Sequence, residues 1–317
     1  MICARTLCCL LLLATGCATV SSHTKPESET IPLRFGWEPG EVASVESVRS
    51  LTGWTVRGVE TRKVALRYDL AATAGDGGGL ELRRRDVRID AMPSVWEPQS
   101  VEMVAAELAH PDLLVTGAGV ITGIDKEDRV QATVASLLSR MAKSGQVPEA
   151  FRGRLLEIFG EEGLRQRAAW DWGELVGLWS GGDFEVGRAY QARDRVSVDG
   201  LGGIGLEMLF EATLVGRVPC APGADAEGCV RLELVARPDP GQRPRLLAFV
   251  ATLFPGRVAK GIEVEDRVTV ITEPGALRPH RYSSRRSVVI PFQDGDGGPP
   301  RFEQIEEREL AFEWGGA

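Results

Sequence analysis

The sequence predicts an α+β fold in which an antiparallel β-sheet packs against a central helical segment. On both sides of the middle of the chain, polar and apolar residues alternate with a period of two, which is typical of half-buried strands. From about residue 97 to 180 the apolar period becomes that of a helix. Because strands and helices come in separate runs, the pattern favours α+β over a parallel sheet.

The composition is that of a soluble globular protein. Of the 317 residues, 43% are hydrophobic and 26% are charged, which argues against a collagenous or wholly disordered chain. The length allows one large domain or two ordinary ones. We expect a single α+β domain over residues 33–317, with a helical insert at about 97–180. The net charge of −8 provides no general basic surface for nucleic acid.

The N-terminus has the layout of a secretory signal. An apolar run between Leu7 and Leu13 follows a single basic residue, Arg5. It is too short for a membrane span, which needs roughly 20 apolar residues. The motif Leu13-Ala-Thr-Gly-Cys17 resembles the lipobox of bacterial lipoproteins. The alternative is an ordinary secretory signal with an incidental cysteine.

The lipobox resemblance implies that residues 1–16 are removed as a signal peptide and that Cys17 is acylated. Acyl chains on this cysteine would anchor the protein to a bilayer without spanning it. Since Ala18 rather than Asp follows the cysteine, the resemblance implies the periplasmic face of the outer membrane. Residues 18–32 are polar and lack an apolar period, so we expect Cys17 and a flexible tether to occupy residues 17–32.

The first strands follow the tether. A half-buried strand is predicted from alternating apolar residues, namely Val64, Leu66, Tyr68, Leu70 and Ala72. A glycine-rich turn at residues 75–79 leads into the next strand, whose parity changes across residues 83–85 and predicts a bulge. These three arginines could contact an anion, but a solvated strand face is the favoured interpretation.

Helices are predicted in the middle of the chain. One helix buries Val130, Val134, Leu137, Leu138 and Met141, with Asp125 and Asp128 at its start and Gly145 at its end. A second follows Pro148 and buries Phe151, Leu155, Ile158 and Phe159 before it ends at Gly160. A third carries Leu164, Ala168, Trp172, Leu175 and Trp179. Residues 97–109 predict a further helix, and residues 112–123 a short hairpin.

Strands return from residue 187 onward. Residues 190–198 alternate, and residues 206–214 are expected to pair with residues 230–236. A short helix is predicted at residues 245–254. Further strands are predicted at residues 262–270, 288–292 and 310–314, which complete the sheet.

Two cysteines, Cys220 and Cys229, flank the loop between the paired strands. In an exported chain, an even pair around a Pro/Gly-rich loop predicts a disulfide. A metal site would need four ligands at suitable spacing, and no histidine lies near in sequence.

Motifs for catalysis are weak or absent. The residues Gly200-Leu-Gly-Gly-Ile-Gly205 match a dinucleotide-binding pattern, but the second strand with its acidic residue is missing, so a glycine-rich turn is favoured. The acidic residues Glu303, Glu306, Glu307 and Glu309 could hold calcium or act as acid and base, but a solvated strand face is favoured. We therefore expect no catalytic residue, no metal and no cofactor, and predict that the protein is not an enzyme.

Three tryptophans stand close together at Trp170, Trp172 and Trp179. Large aromatic residues often line apolar ligand clefts, but they also fill cores. Both interpretations stay open, and the cleft interpretation makes these three residues the candidate site for an apolar ligand.

The segment Phe35-Gly-Trp-Glu-Pro-Gly40, followed by meandering strands and a helical insert, resembles β-rich envelope lipoproteins, some of them similar to lipoprotein-carrier half-barrels. That resemblance implies a curved sheet whose apolar concave face is covered by helices. It further implies a membrane-anchored periplasmic protein that binds a lipid or another apolar partner. The alternative is a structural or protein-interaction lipoprotein with a filled core.

Overall fold

The computed structural model describes residues 29–55, 58–94, 98–143, 149–198, 204–223, 227–293 and 301–315. The helices are α1 Pro98–Leu108, α2 Glu127–Lys143, α3 Glu149–Ile158, α4 Glu161–Trp172 and α5 Arg243–Leu253. The strands are β1 Thr30–Pro32, β2 Val42–Thr55, β3 Gly58–Ala74, β4 Leu80–Ala91, β5 Asp112–Val115, β6 Ile121–Asp125, β7 Asp183–Glu185, β8 Ala189–Val198, β9 Ile204–Val218, β10 Cys229–Pro238, β11 Glu263–Thr272, β12 Pro279–Pro291 and β13 Arg301–Trp314.

The main sheet is open and antiparallel. Its eleven strands follow the order β6-β5-β4-β3-β2-β13-β12-β11-β10-β9-β8. Strands β2 and β13, from opposite ends of the chain, pair at its centre in register from Ala43 with Trp314 to Gly53 with Gln304. The coarse form of the predicted α+β fold is confirmed, since the structure consists of a large unclosed antiparallel sheet with a few helices.

One face of the sheet is buried. In β3 the side chains of Val64, Leu66 and Tyr68 are buried, whereas those of Lys63 and Arg67, at alternate positions, are exposed. The buried face packs against α1–α4, while α5 covers a second, smaller cluster that includes Leu206 and Val264. Alternation therefore places charged residues on the outer face and apolar residues beneath the helices.

Most predicted elements are confirmed. The helices predicted at residues 97–109 and 245–254 correspond to α1 and α5, and the hairpin at 112–123 corresponds to β5 and β6. Strands β9 and β10 pair across the cysteine loop as expected. The parity change in β4 is a bulge, with the left-handed residue Asp86 (φ 53°) at the shift in register with β3.

The predicted tether extends too far along the chain. Thr30–Pro32 forms β1 and pairs with β7, and the side chains of Ile31 and Leu33 are buried. We call residues 30–37 the N-terminal strap. Ile31, Leu33, Phe35 and Trp37 alternate with a period of two, but only Ile31 falls inside the predicted tether, and the polar residues before it conceal where this series begins. The predicted signal peptide, the predicted acylation site at Cys17 and the rest of the predicted tether up to residue 28 lie outside the described residues.

The third predicted helix is not α-helical throughout. α4 ends at Trp172, and the chain continues through a wider π-helical turn over Gly173–Gly177, so that Trp179 lies beyond the helix. A π-turn inserts one residue into the helical period, and the spacing of apolar residues alone does not reveal it.

Two other interpretations of the sequence are wrong at particular residues. Arg84 does not lie on a solvated face: it turns inward, 4.4 Å from the centre of the Tyr68 ring, and donates to the carbonyl of Glu107 at 3.0 Å. Glu306 also points inward, whereas Glu307 and Glu309 are exposed.

After the glycine motif the chain forms the strand β9 rather than the helix that a dinucleotide-binding site would need. The glycines at 200–203 lie outside the described residues.

Candidate functional site

The buried face of the sheet carries charge as well as apolar surface. Eight charged side chains lie between strands β2, β11, β12 and β13 on one side and α1, α4 and the π-turn on the other. We call them the ionic band. Its members are Arg49, Glu107, Asp171, Glu174, Asp266, Arg286, Glu306 and Arg308.

Glu107 of α1 is the best-connected carboxylate of the ionic band. Its side chain is 1% exposed and lies 3.3 Å from Arg49 Nη1 and 3.0 Å from Arg308 Nε. The hydroxyl of Ser47 donates to it at 2.8 Å. Burial alone would raise the pKa of Glu107, but the charges of Arg308, Arg49 and Arg84 overcome this effect and lower it to about 2. Glu107 is therefore ionised at every physiological pH.

Glu174 in the π-turn has the opposite character. It is 6% exposed and accepts a hydrogen bond from the hydroxyl of Tyr282 at 2.6 Å. Burial and the neighbouring charge of Asp266 raise its pKa to about 8. Asp266 itself is held by Arg286, whose Nε and Nη2 donate to it at 2.9 and 2.7 Å. Glu174 is therefore mostly protonated at neutral pH.

A small cavity lies beside the ionic band, under α4. Its volume is about 60 Å³, and its walls include Tyr68, Arg84, His110, Asp171 and Trp172. It is much smaller than the pockets of about 300 Å³ or more that hold drug-sized ligands.

His110 lines the same cavity. Its Nδ1 lies 2.9 Å from the carbonyl of Pro111, and its Nε2 lies 3.8 Å from the Asp171 carboxylate. Burial and the charge of Arg84 lower the pKa of His110 to about 3, against the opposing pull of Asp171. The imidazole is therefore neutral in the folded protein at physiological pH.

The structure separates the predicted tryptophan group. Trp172 and Trp179 are 3% and 0% exposed, and their indole nitrogens donate to the carbonyls of Gly119 at 2.7 Å and Glu174 at 2.9 Å. Trp172 also contacts the rings of Phe35 and Trp37 of the strap. Trp170 is half-buried beside Phe210. Trp172 borders the 60 Å³ cavity, and the packing of Trp172 and Trp179 is that of core residues.

The predicted disulfide is confirmed: Cys220 and Cys229 are joined, with their Cα atoms 5.0 Å apart. His280 lies close enough to both sulfurs to suggest a metal site by distance alone. Both sulfurs are used in the disulfide, however, and a disulfide offers no thiolate ligand. This trio therefore does not fit a metal ion.

The sequence analysis missed the ionic band. Its strand residues occupy inward positions of the alternating pattern, where a charge interrupts an apolar series, as Asp266 does between Val264 and Val268. That interruption is the signal available in the sequence. The helical partners, such as Glu107, carry no comparable signal because one polar residue does not disturb a helical period.

No helix in the described part of the chain is long and apolar enough to cross a membrane. Comparison with known proteins adds little. No protein-family model matches the chain, and no curated protein does. Among solved structures it is similar to one titled "lipid-protein interactions in lipovitellin", with 10% identity and a TM-score of 0.40. The match covers 87% of this chain but only 25% of that one, so this chain spans about a quarter of its length.

Proposed function

We propose that this chain is a membrane-anchored envelope lipoprotein whose folded body acts through its surface, without enzymatic activity. The proposed anchor is acylated Cys17, and the proposed location is the periplasmic face of the outer membrane. The observation that carries the proposal against a carrier role is the tight packing around Trp172, which is 3% exposed and borders a cavity of only about 60 Å³. The motif Leu13-Ala-Thr-Gly-Cys17 supports the anchor.

The second candidate function is binding of a lipid or other apolar ligand on a curved, half-barrel-like sheet. The apolar side chains around the cavity favour it, namely Leu70, Leu82, Leu113, Leu310 and Phe312. A cavity of about 60 Å³ is far smaller than the pockets of about 300 Å³ or more that hold drug-sized ligands, so an acyl chain would have to displace α4 or the strap. That displacement would expose Trp172 and Trp37, which are now 3% and 6% exposed.

Metabolic labelling tests the anchor. Cells expressing the full chain are fed labelled palmitate, and we expect the label in the wild type and in Cys9→Ser but not in Cys17→Ser. Cys9→Ser is the matched control because it removes another cysteine of the leader. Equal labelling of the wild type and Cys17→Ser would refute the anchor, and recovery of the uncleaved chain from the cytosol would refute the location.

Lipid analysis separates the two candidate functions. Purified protein containing residues 18–317 is extracted, and the extract is examined by mass spectrometry. If the core is filled, we expect no stoichiometric lipid and no tryptophan quenching by added brominated fatty acid. Co-purified lipid together with saturable quenching would establish the carrier role and reject the filled-core interpretation.

A further inference from the structure

The disulfide-closed hairpin between β9 and β10 forms a surface groove at the end of the body where the tether enters. The groove has a volume of about 210 Å³, more than three times that of the cavity under α4. Its described walls are apolar apart from one arginine: Val218, Pro219, Cys220, Ala221, Pro222, Gly223, Ile271 and Arg281. The disulfide joins Cys220, on the groove wall, to Cys229 at the base of the hairpin.

Arg281 differs from the other arginine on the same face of β12. Its neighbours in register are Ile271 of β11 and Ala311 of β13, so no carboxylate lies directly opposite it. Arg285, four residues further along the strand, lies opposite Glu307 and forms an ion pair with it at 3.4 Å. Among the described residues, Arg281 makes no ion pair that would neutralise it, and it borders an apolar groove.

The entry point of the tether places this groove near the bilayer. The described chain begins at Glu29, whose carboxylate lies 2.9 Å from Arg217 Nε, and whose carbonyl accepts from the amide of Val186. Arg217 directly precedes Val218 of the groove. The twelve residue steps from Cys17 to Glu29 span about 40 Å when fully extended.

The opposite end of the body is much less accessible to the membrane. Strand β9 runs from Ile204 to Val218, so at about 3.3 Å per residue its far end lies roughly 43 Å from Arg217. Even a perfectly straight tether laid along the body would barely bring that end to the bilayer. The end that carries the groove can reach the surface with the tether in almost any conformation.

From this arrangement we propose that the groove and Arg281 form a bilayer-contact surface that receives a phospholipid, with its phosphate on the guanidinium and its upper acyl chain along the apolar wall. Arginine suits this role because its planar fork binds phosphate through two hydrogen bonds. One charge and a shallow groove give weak binding in free solution. The anchor supplies a high effective concentration of lipid, so the contact forms on the tethered protein.

The inference rests on the proposed anchor at Cys17, and its test is independent of natural acylation. The mature chain, residues 17–317, is coupled through the Cys17 thiol to maleimide lipid in vesicles of phosphatidylethanolamine and phosphatidylglycerol. The vesicles also contain a phospholipid with a photoreactive group in its upper acyl chain. Crosslinked peptides are identified by mass spectrometry.

We expect crosslinks at residues 218–223, reduced at least fivefold in Arg281→Glu and unchanged in Arg285→Glu. Ala221→Asp, which places a charge on the apolar wall, should reduce them as well. All three substituted residues are exposed, and unchanged unfolding curves verify that the variants fold. Any of three results would overturn the proposal: crosslinks that spread over the whole body, crosslinks concentrated near α5, or crosslinks that Arg281→Glu does not reduce. Because coupling is chemical, a failure of palmitate labelling in cells would not alter this result.

Discussion

Two regions of the same sheet face are built by opposite chemistry. At the C-terminal end of α4 and just beyond it, Trp172 and Trp179 are buried in the main apolar core. One step along the same face, Glu107 and Arg308 are 1% and 10% exposed and lie 3.0 Å apart. Both regions occupy inward positions of strands and helices. An inward position in the alternating pattern therefore specifies that a side chain is buried, but not whether it is charged or apolar.

Stability alone does not explain why the charged side chains of the ionic band are buried. Burying an ion pair costs desolvation free energy, and replacing such pairs by apolar residues is often neutral or stabilising. The band, however, connects elements: Glu107 links α1 to β2 and β13, and Glu174 links the π-turn to β12 through Tyr282. We infer that it fixes the position of the helices on the sheet, because a helix shifted along the sheet would leave these charges unpaired.

In the apolar region, Trp172→Ala should lower the free energy of unfolding by about 3–5 kcal/mol. Removal of a buried tryptophan loses transfer free energy and leaves a cavity. The indole also donates to the Gly119 carbonyl, which would lose its partner. Urea unfolding monitored by circular dichroism measures the change. A loss below 1 kcal/mol would show that this region is loosely packed.

In the ionic band, Glu107→Ala should be as costly, about 3–5 kcal/mol, although it removes no aromatic residue. The substitution leaves Arg49 and Arg308 in the buried region without their shared carboxylate. Urea unfolding compared with Trp172→Ala tests whether the two regions contribute equally. A near-neutral Glu107→Ala would contradict the role of the band in placing α1.

Adjacent residues of β13 give a matched pair. Glu306 points inward and accepts from Arg49 Nε at 2.6 Å, whereas Glu307 is half exposed and pairs with Arg285. Glu306→Ala should cost about 1.5–3 kcal/mol, because the hydrogen bonds involve charged, partly buried groups. Glu307→Ala should cost less than about 1 kcal/mol, as exposed pairs do. Equal losses of unfolding free energy in Glu306→Ala and Glu307→Ala, measured by urea unfolding, would contradict the difference between the inner and outer faces of β13.

A pH dependence is expected from Glu174. Its pKa is raised from 4.5 to about 8 in the folded state, so its contribution is complete below pH 4.5 and is lost as the pH rises towards 8. His110, lowered from 6.5 to about 3, loses its contribution as the pH falls below 6.5. The two trends offset each other between pH 4.5 and 6.5.

Above pH 6.5, only the Glu174 trend of these two continues. We therefore expect the free energy of unfolding to fall by on the order of 1 kcal/mol per pH unit between pH 6.5 and 8. Glu174→Gln, which keeps an uncharged partner for Tyr282, should flatten this slope in urea titrations. A slope that persists unchanged in Glu174→Gln would assign the pH dependence to other groups.

The sequence predicts local elements well because their signals are local. The period of two in β3 and the helical spacing in α2 depend only on which side of the element is buried. The disulfide was predictable because two cysteines flank one short loop. In each case the residues that matter lie within one or two elements.

The ionic band could not be predicted because its members are far apart in sequence. Glu107 lies 58 residues from Arg49, and no periodic pattern shows that the two will meet. An isolated inward charge looks the same whether a partner neutralises it or solvent reaches it. The same holds for the strap, where Ile31 is buried because β1 pairs with β7 and joins the main apolar core.

The strap also determines what proteolytic shedding would produce. A protease that cut between residues 18 and 28 would free a body that still contains β1, Leu33 and the Trp37 contact with the Leu277 carbonyl. A cut just after Trp37 would instead remove Ile31 and Leu33 from the core and Phe35 from its contact with Trp172. The first cleavage would leave a body with its core complete, while the second would leave a chain that lacks part of its core.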